Sequence, residues 1–186
     1  MELLWLPTGP YDAGWALDWH TVSAGSRTSI GERLYLLKYR YDRSQIEPLA
    51  RTLAEALSTR IVRPRLHAIV PIPPSNTERP FQPVLELARC LAQLTGISLV
   101  EDYLVKVKPT PMLKNIESAT GRRQELEGVF DLRDPYRLAG AWVLLFDDLY
   151  QTGATLGAAT KTLKEQGHVS RVYALVVTRT RTRPTD

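Results

Sequence analysis

Cysteine is almost missing from this chain: Cys90 is the single one among 186 residues, which excludes an internal disulfide. That scarcity suits a reducing, cytoplasmic setting, the localisation expected here. Cys90 itself sits among Leu87, Leu91 and Leu94 and reads as apolar filler rather than a nucleophile. Histidine is nearly as scarce. His20, His67 and His168 are scattered and, with one cysteine, give no zinc-ligand spacing. No apolar stretch approaches the ~20 residues of a membrane span, so no membrane association is expected. The start, MELLWLPTGP, lacks the basic residues and long apolar core of a secretory signal. Repeats, low-complexity tracts and interdomain linkers are also lacking. Neither sign of charge forms a block: the net charge is +4 and the pI about 9.3. That balance suits an anionic small molecule and tolerates weak association with nucleic acid without demanding it. Lys161 and Lys164 read as a solvated helix face, and Arg179, Arg181 and Arg183 as a solvated tail. What remains is 44% hydrophobic and 24% charged, an ordinary composition for one domain over residues 1–186 with its own core.

The most informative segment is Val143 to Leu156, VLLFDDLYQTGATL. Four apolar residues in a row read as a parallel strand covered on both faces. Leu156, Ala159 and Leu163 then repeat at i, i+3, i+7 up to Gly167, which predicts a helix. The turn between them lies at the carboxyl end of a strand and the amino end of a helix. Unpaired N–H groups and the positive end of the helix dipole gather there and favour a phosphate. Gly153 lets the backbone approach an anion, and Thr152 and Thr155 add hydroxyls. Asp147 and Asp148 would repel that phosphate. They suit sugar hydroxyls, or a divalent cation held directly or through water. A phosphate at one end and a polyol with a metal at the other describe a sugar phosphate.

Elsewhere, Ser44-x-x-Glu47 has the form of a capping box ahead of a helix to about Thr59, marked by Ile46, Leu49, Ala50, Leu53 and Leu57. Leu66 to Ile72 reads as a buried strand, Phe81 to Leu94 as a helix ended by Gly96, and Ile97–Lys106 and Arg171–Thr178 as further strands. The pattern is α/β, with a parallel sheet of about five strands, right-handed crossovers and helices on both faces. Residues 1–28 stand apart. Trp15, Leu17 and Trp19 alternate onto one face, as in a hairpin with residues 2–6, away from the sheet core. That hood is either a small satellite cluster, with His20 as a hydrogen-bonded structural residue, or a lid on which a flat base stacks.

The strand, two acids, three intervening residues and Thr152-Gly153-Ala154-Thr155 resemble the PRPP-binding motif of type I phosphoribosyltransferases, PRPP being 5-phosphoribosyl-1-pyrophosphate. The resemblance implies a Mg²⁺-dependent enzyme that transfers the 5-phosphoribosyl group to a nitrogen base and releases pyrophosphate. It places Asp147 and Asp148 at the ribose hydroxyls and the Mg²⁺ ion, held directly or through water. Gln151, Thr152, Gly153, Ala154 and Thr155 then cradle the 5-phosphate. It places a pyrophosphate loop after the strand ending Val70-Pro71-Ile72-Pro73-Pro74-Ser75. Prolines donate no N–H, so Ile72, Ser75, Asn76 and the Arg79 guanidinium are the candidate donors there. Residues 107–124 are long, basic and aperiodic; the family has a flexible lid loop in this interval, to which Lys106, Lys108, Lys114, Arg122 and Arg123 would bring positive charge.

Leu36-Leu37-Lys38-Tyr39 before the first helix, Val70-Pro71-Ile72-Pro73, Arg79-x-Phe81-Gln82 and Gly121-Arg122-Arg123-Gln124 ahead of Gly128-Val129-Phe130 narrow the resemblance to the ComF-like branch, over roughly residues 29–178. The branch takes its name from competence for DNA uptake. The chain departs from it in having no amino-terminal zinc module and in the segment Arg79-Pro80-Phe81-Gln82-Pro83. Glu125 stands where an Asn is expected, and Gln151 stands where hypoxanthine-guanine enzymes place a proton-handling aspartate. Two alternatives to an enzyme remain: a non-catalytic sensor of PRPP or a nucleotide, and a DNA-uptake accessory protein on the same fold. A homodimer is the default assembly.

Overall fold

The computed structural model describes residues 3–23, 25–59, 66–75, 78–108 and 128–181. Its centre is a six-stranded sheet. The strands are β1 (Leu4–Trp5), β2 (Ala13–Trp19), β5 (Ala68–Pro71), β6 (Ser98–Leu99), β9 (Trp142–Tyr150) and β10 (Arg171–Arg179), in the order β1-β2-β10-β9-β5-β6. Every neighbouring pair is parallel except β1 with β2. The α/β fold expected from the strand–helix alternation is therefore present, with one strand more than expected.

The Val143–Phe146 run is fully buried because both faces of β9 are covered. On one face, Leu144 and Phe146 pack with Leu175 and Ile69 against α1 (Ser29–Tyr39), α2 (Ile46–Ser58) and α3 (Pro83–Thr95). On the other, Val143 and Leu145 meet α4 (Ala154–Glu165) and a ribbon of β7 (Leu104–Lys106) with β8 (Phe130–Leu132). Gly96 ends α3 in the left-handed conformation, φ 71°, as its position after an apolar helix predicts.

Several expectations fail locally. The first helix is α1, which carries the Leu36–Tyr39 segment inside it; Ile30, Leu34 and Leu37 are its buried stripe. Ser44 does not cap α2. Its N–H and hydroxyl both donate to Asp42, which starts a short 3₁₀ turn over Arg43–Gln45, and α2 follows without a side-chain cap. Residues 97–106 are two strands rather than one, because the polar Glu101–Asp102 turn separates β6 from β7, and β7 leaves the main sheet to pair with β8.

The amino-terminal hairpin forms, with Leu4 opposite Ala16 and Trp5 opposite Trp15. It lies at the edge of the main sheet rather than apart from its core. β2 pairs in parallel with β10, and Trp15, 3% exposed, stacks on Tyr173 with ring centroids 6.2 Å apart. A smaller hairpin, β3 (Thr21–Ser23) with β4 (Ser26–Arg27), follows it. Of the carboxyl-terminal arginines, Arg179 ends β10 and the exposed Arg181 reaches back to Trp19. The guanidinium carbons of Arg179 and Arg181 lie 4.6 and 4.9 Å from the Trp19 ring centre. Lys164, on the partly exposed face of α4, pairs with Asp12 at 2.9 Å. Arg183 lies outside the described residues. Among those described, no helix is long and apolar enough to cross a membrane.

Candidate functional site

Parallel strands point their carboxyl ends the same way, so β5 and β9 deliver their following loops to one edge of the sheet. A cleft of about 500 Å³ opens there. Asp147, Asp148, Gln151, Thr152, Gly153, Ala154 and Thr155 line it from β9 and its turn; Ile72, Ser75 and Arg79 line it from the β5 side. Lys38, Lys106 and His20 also reach it. Lys108 is described but does not line the cleft. Asn76, Lys114, Arg122, Arg123 and Glu125, with residues 109–127 as a whole, lie outside the described residues. The base of that segment is held: Val107 N–H donates to Val129 O at 2.9 Å, continuing the β7–β8 pairing.

The β9–α4 turn is built as a helix amino terminus with its amides open. Gly157 is the first residue whose N–H enters the helix, donating to Gly153 O at 2.8 Å. Thr152 Oγ1 approaches the Ala154 N–H only at 3.5 Å. Gly153 has φ 76°, where a side chain is strained, and a Cβ there would stand 2.6 Å from Tyr150 Oη. The Tyr150 ring thus forms the floor beneath the turn, and glycine is the residue that fits over it. With the helix dipole behind them, these amides suit an anion.

The strand runs on through the acids to Tyr150, so Asp147 and Asp148 project to opposite faces. Asp148, 9% exposed, meets the Lys38 ammonium, with Nζ 2.6 Å from Oδ2. Burial alone would pull Lys38 down, but the Asp148 charge and hydrogen bond, with Asp147 beyond, hold it above its ordinary value. Asp147 accepts the Asp148 N–H at 2.8 Å. Burial, then the neighbouring Asp148 charge, pushes its carboxyl up to about 7, against the pull of that N–H, Lys38 and Lys106. Lys106 donates to Ser75 Oγ, and burial holds its ammonium below the ordinary value, offset in part by Asp147. Among the described residues no group of three or more His, Cys, Asp or Glu side chains could hold a metal ion. One Asp148 oxygen is already taken, so these residues do not make a cage of their own for a cation.

The β5 side is poorer in donors than its sequence suggests. Ile72 N–H is consumed by Phe146 O at 2.8 Å, extending the β5–β9 pairing by one residue. Pro73 and Pro74 have no N–H. Among the described residues, the Ser75, Arg79, Gln82 and Lys106 side chains are polar groups on this wall. His20 Nδ1 lies 3.1 Å from Thr178 Oγ1. Burial and the Arg27 and Lys38 charges lower its pKa. Sequence reasoning noted Lys38 and His20 without giving either a role at the site. The signal for Lys38 was there: Gly31, Leu34 and Lys38 follow the helical i, i+3, i+7 spacing.

No protein-family model matches the chain, and no curated protein matches it. Solved structures do. Adenine phosphoribosyl transferase from Trypanosoma brucei, in complex with AMP, pyrophosphate and ribose-5-phosphate, is 10% identical. The match covers 97% of this chain and 87% of that one, with a TM-score of 0.50. Adenine phosphoribosyltransferase from Leishmania tarentolae matches over 95% and 79% of the two chains, with 13% identity and a TM-score of 0.48. The glutamine PRPP amidotransferase of B. subtilis, complexed with ADP and GMP, is 17% identical with a TM-score of 0.47. That match takes in 71% of this chain but only 26% of the amidotransferase. The fold is thus the α/β fold of type I phosphoribosyltransferases, with a six-stranded, mostly parallel sheet. At such identities the likeness is one of fold alone.

Proposed function

We propose that the chain binds PRPP with Mg²⁺ and transfers its 5-phosphoribosyl group to a nitrogen base, releasing pyrophosphate. One observation carries the reading: open amides at the start of α4 and the two acids at the end of β9 share a single cleft with Lys106 and Arg79. The 5-phosphate sits on residues 151–155, and the ribose hydroxyls lie against Asp147 and Asp148. The diphosphate faces Ser75, Arg79 and Lys106. The Mg²⁺ ion arrives on the diphosphate as part of the substrate, with Asp147 as the nearby carboxylate, directly or through water. The protein's contribution is positional and electrostatic. Within this class, the motifs at residues 36–39, 70–73 and 121–124 favour a ComF-like protein acting in the cytoplasm. Lys108, Arg122 and Arg123 would belong to its lid.

The test is calorimetry with Mg²⁺·PRPP on the wild type and on Asp147→Asn with Asp148→Asn. The double variant should keep the fold and lose binding; unchanged affinity would remove the pair from the site. Incubation with PRPP, Mg²⁺ and a panel of nucleobases, followed by assay of pyrophosphate, then asks for turnover. The engaged Ile72 amide and the prolines after it favour a second reading, a sensor that binds PRPP or a nucleotide without transfer. Saturable binding with no pyrophosphate from any base would select it.

A further inference from the structure

Adjacent aspartates at the end of a strand do not form a pincer. Asp147 lies on the α4 side with Val143 and Leu145, and Asp148 on the α1–α3 side with Leu144 and Phe146. The cation that meets Asp148 comes from a distant part of the chain, the last turn of α1. Both partners are largely shielded, with side-chain exposures of 15% for Lys38 and 13% for Asp148. The helix that carries Lys38 is anchored at its other end. Thr28 Oγ1 accepts the Gly31 N–H at 3.0 Å, and Gly31 presses so closely on the end of β2 that a Cβ would stand 2.2 Å from His20 O. Leu34 and Leu37, both fully buried, hold the stripe between. The reach of Lys38 is therefore set by packing rather than by a free side chain at the surface.

We propose that Lys38 is a positioning residue for the pentose: it fixes Asp148 through Oδ2 and leaves Oδ1 to accept a ribose hydroxyl. This deepens the function proposed above and rests on it. The ligand in that reading carries a phosphate and a diphosphate, which two uncompensated carboxylates would repel. Lys38 removes one of those charges from the balance while keeping the oxygen that the sugar needs. A buried acid without its counter-ion would also turn or take up a proton, and its acceptor geometry would be lost.

Two ligands separate this role from a structural one: Mg²⁺·PRPP, which needs Asp148, and inorganic phosphate, which needs only the start of α4. Lys38→Met should weaken Mg²⁺·PRPP by about 10- to 100-fold, as expected for breaking a shielded charge pair. It should leave inorganic phosphate within about two-fold, and Lys38→Arg should recover most of the loss. Adding Lys38→Met to Asp148→Asn should cost less than about three-fold more, because both changes remove the same interaction. That comparison, with Lys38→Arg, also carries the test if Lys38→Met alone does not fold. Wild-type affinity in Lys38→Met would overturn the proposal. So would losses that multiply in the double variant, or phosphate and PRPP affinities that fall together. A wild type that binds inorganic phosphate but not Mg²⁺·PRPP would refute the pentose reading beneath it, and the role of Lys38 with it.

Discussion

The two walls of the cleft follow neighbouring parallel strands, yet they offer an anion different things. After β9 the chain turns at Gly153 into a helix and leaves its first amides open. After β5 it runs through Ile72, whose amide stays in the sheet, into two prolines that have none. The first wall binds with main-chain dipoles, fixed by the fold. The second lines the cleft with the Ser75, Arg79, Gln82 and Lys106 side chains, whose positions are easier to change. Recognition at the first should therefore be rigid and easily destroyed by backbone strain, and at the second graded.

The largest effect expected from this contrast is at Gly153. Gly153→Ala places a side chain at positive φ against the Tyr150 ring. It should weaken inorganic phosphate by about 100-fold and cost about 1–3 kcal/mol of stability, read by calorimetry and thermal melts. Asp147, between the walls, gives the next effect. Its folded pKa of about 7 exceeds its ordinary 3.8, so the native state binds the proton more tightly. Stability from this group is therefore full below pH 3.8 and lost as pH rises to about 7. Asp147→Asn should raise the Tm relative to wild type above pH 7, by the equivalent of about 1–3 kcal/mol, and should give no gain at pH 3 to 4. An equal gain at both ends would refute the shift. On the β5 wall, Lys106→Met should weaken pyrophosphate by about 10-fold while sparing ribose-5-phosphate. Ser75→Ala, which removes one hydroxyl acceptor of Lys106, should change pyrophosphate affinity by only about two- to three-fold. A collapse of phosphate binding in either β5-wall variant would show that the walls are not independent.

The β9–α4 segment was legible because its signals are local. Four consecutive apolar residues, a glycine and a helical repeat each act within a few positions, and the fold followed from their alternation along the chain. The features that escaped depend on distant partners. Ile72 reads as a donor until the register places Phe146 O opposite it. Arg179 and Arg181 read as a tail because Trp19 is far away in sequence. The first helix was missed for another reason. Gly31, Tyr35 and Tyr39 dilute its apolar stripe, although Ile30, Leu34 and Leu37 carry it. Glu101 and Asp102 break residues 97–106 at a point where alternation alone continues.

The seat of β2 has a consequence for how the molecule is made. Its sheet partner on one side is the last strand, β10, and Val172 N–H donates to an Asp12 carboxylate oxygen across 160 residues. During synthesis this hairpin emerges well before β10, and until β10 follows its sheet neighbour on that side is missing. Trp15, buried in the finished sheet against Tyr173 of β10, lacks that ring partner for the whole interval. Closing so long a loop is slow, and exposed aromatic strands invite wrong partners. The edge of this sheet is thus completed only when the far end of the chain arrives.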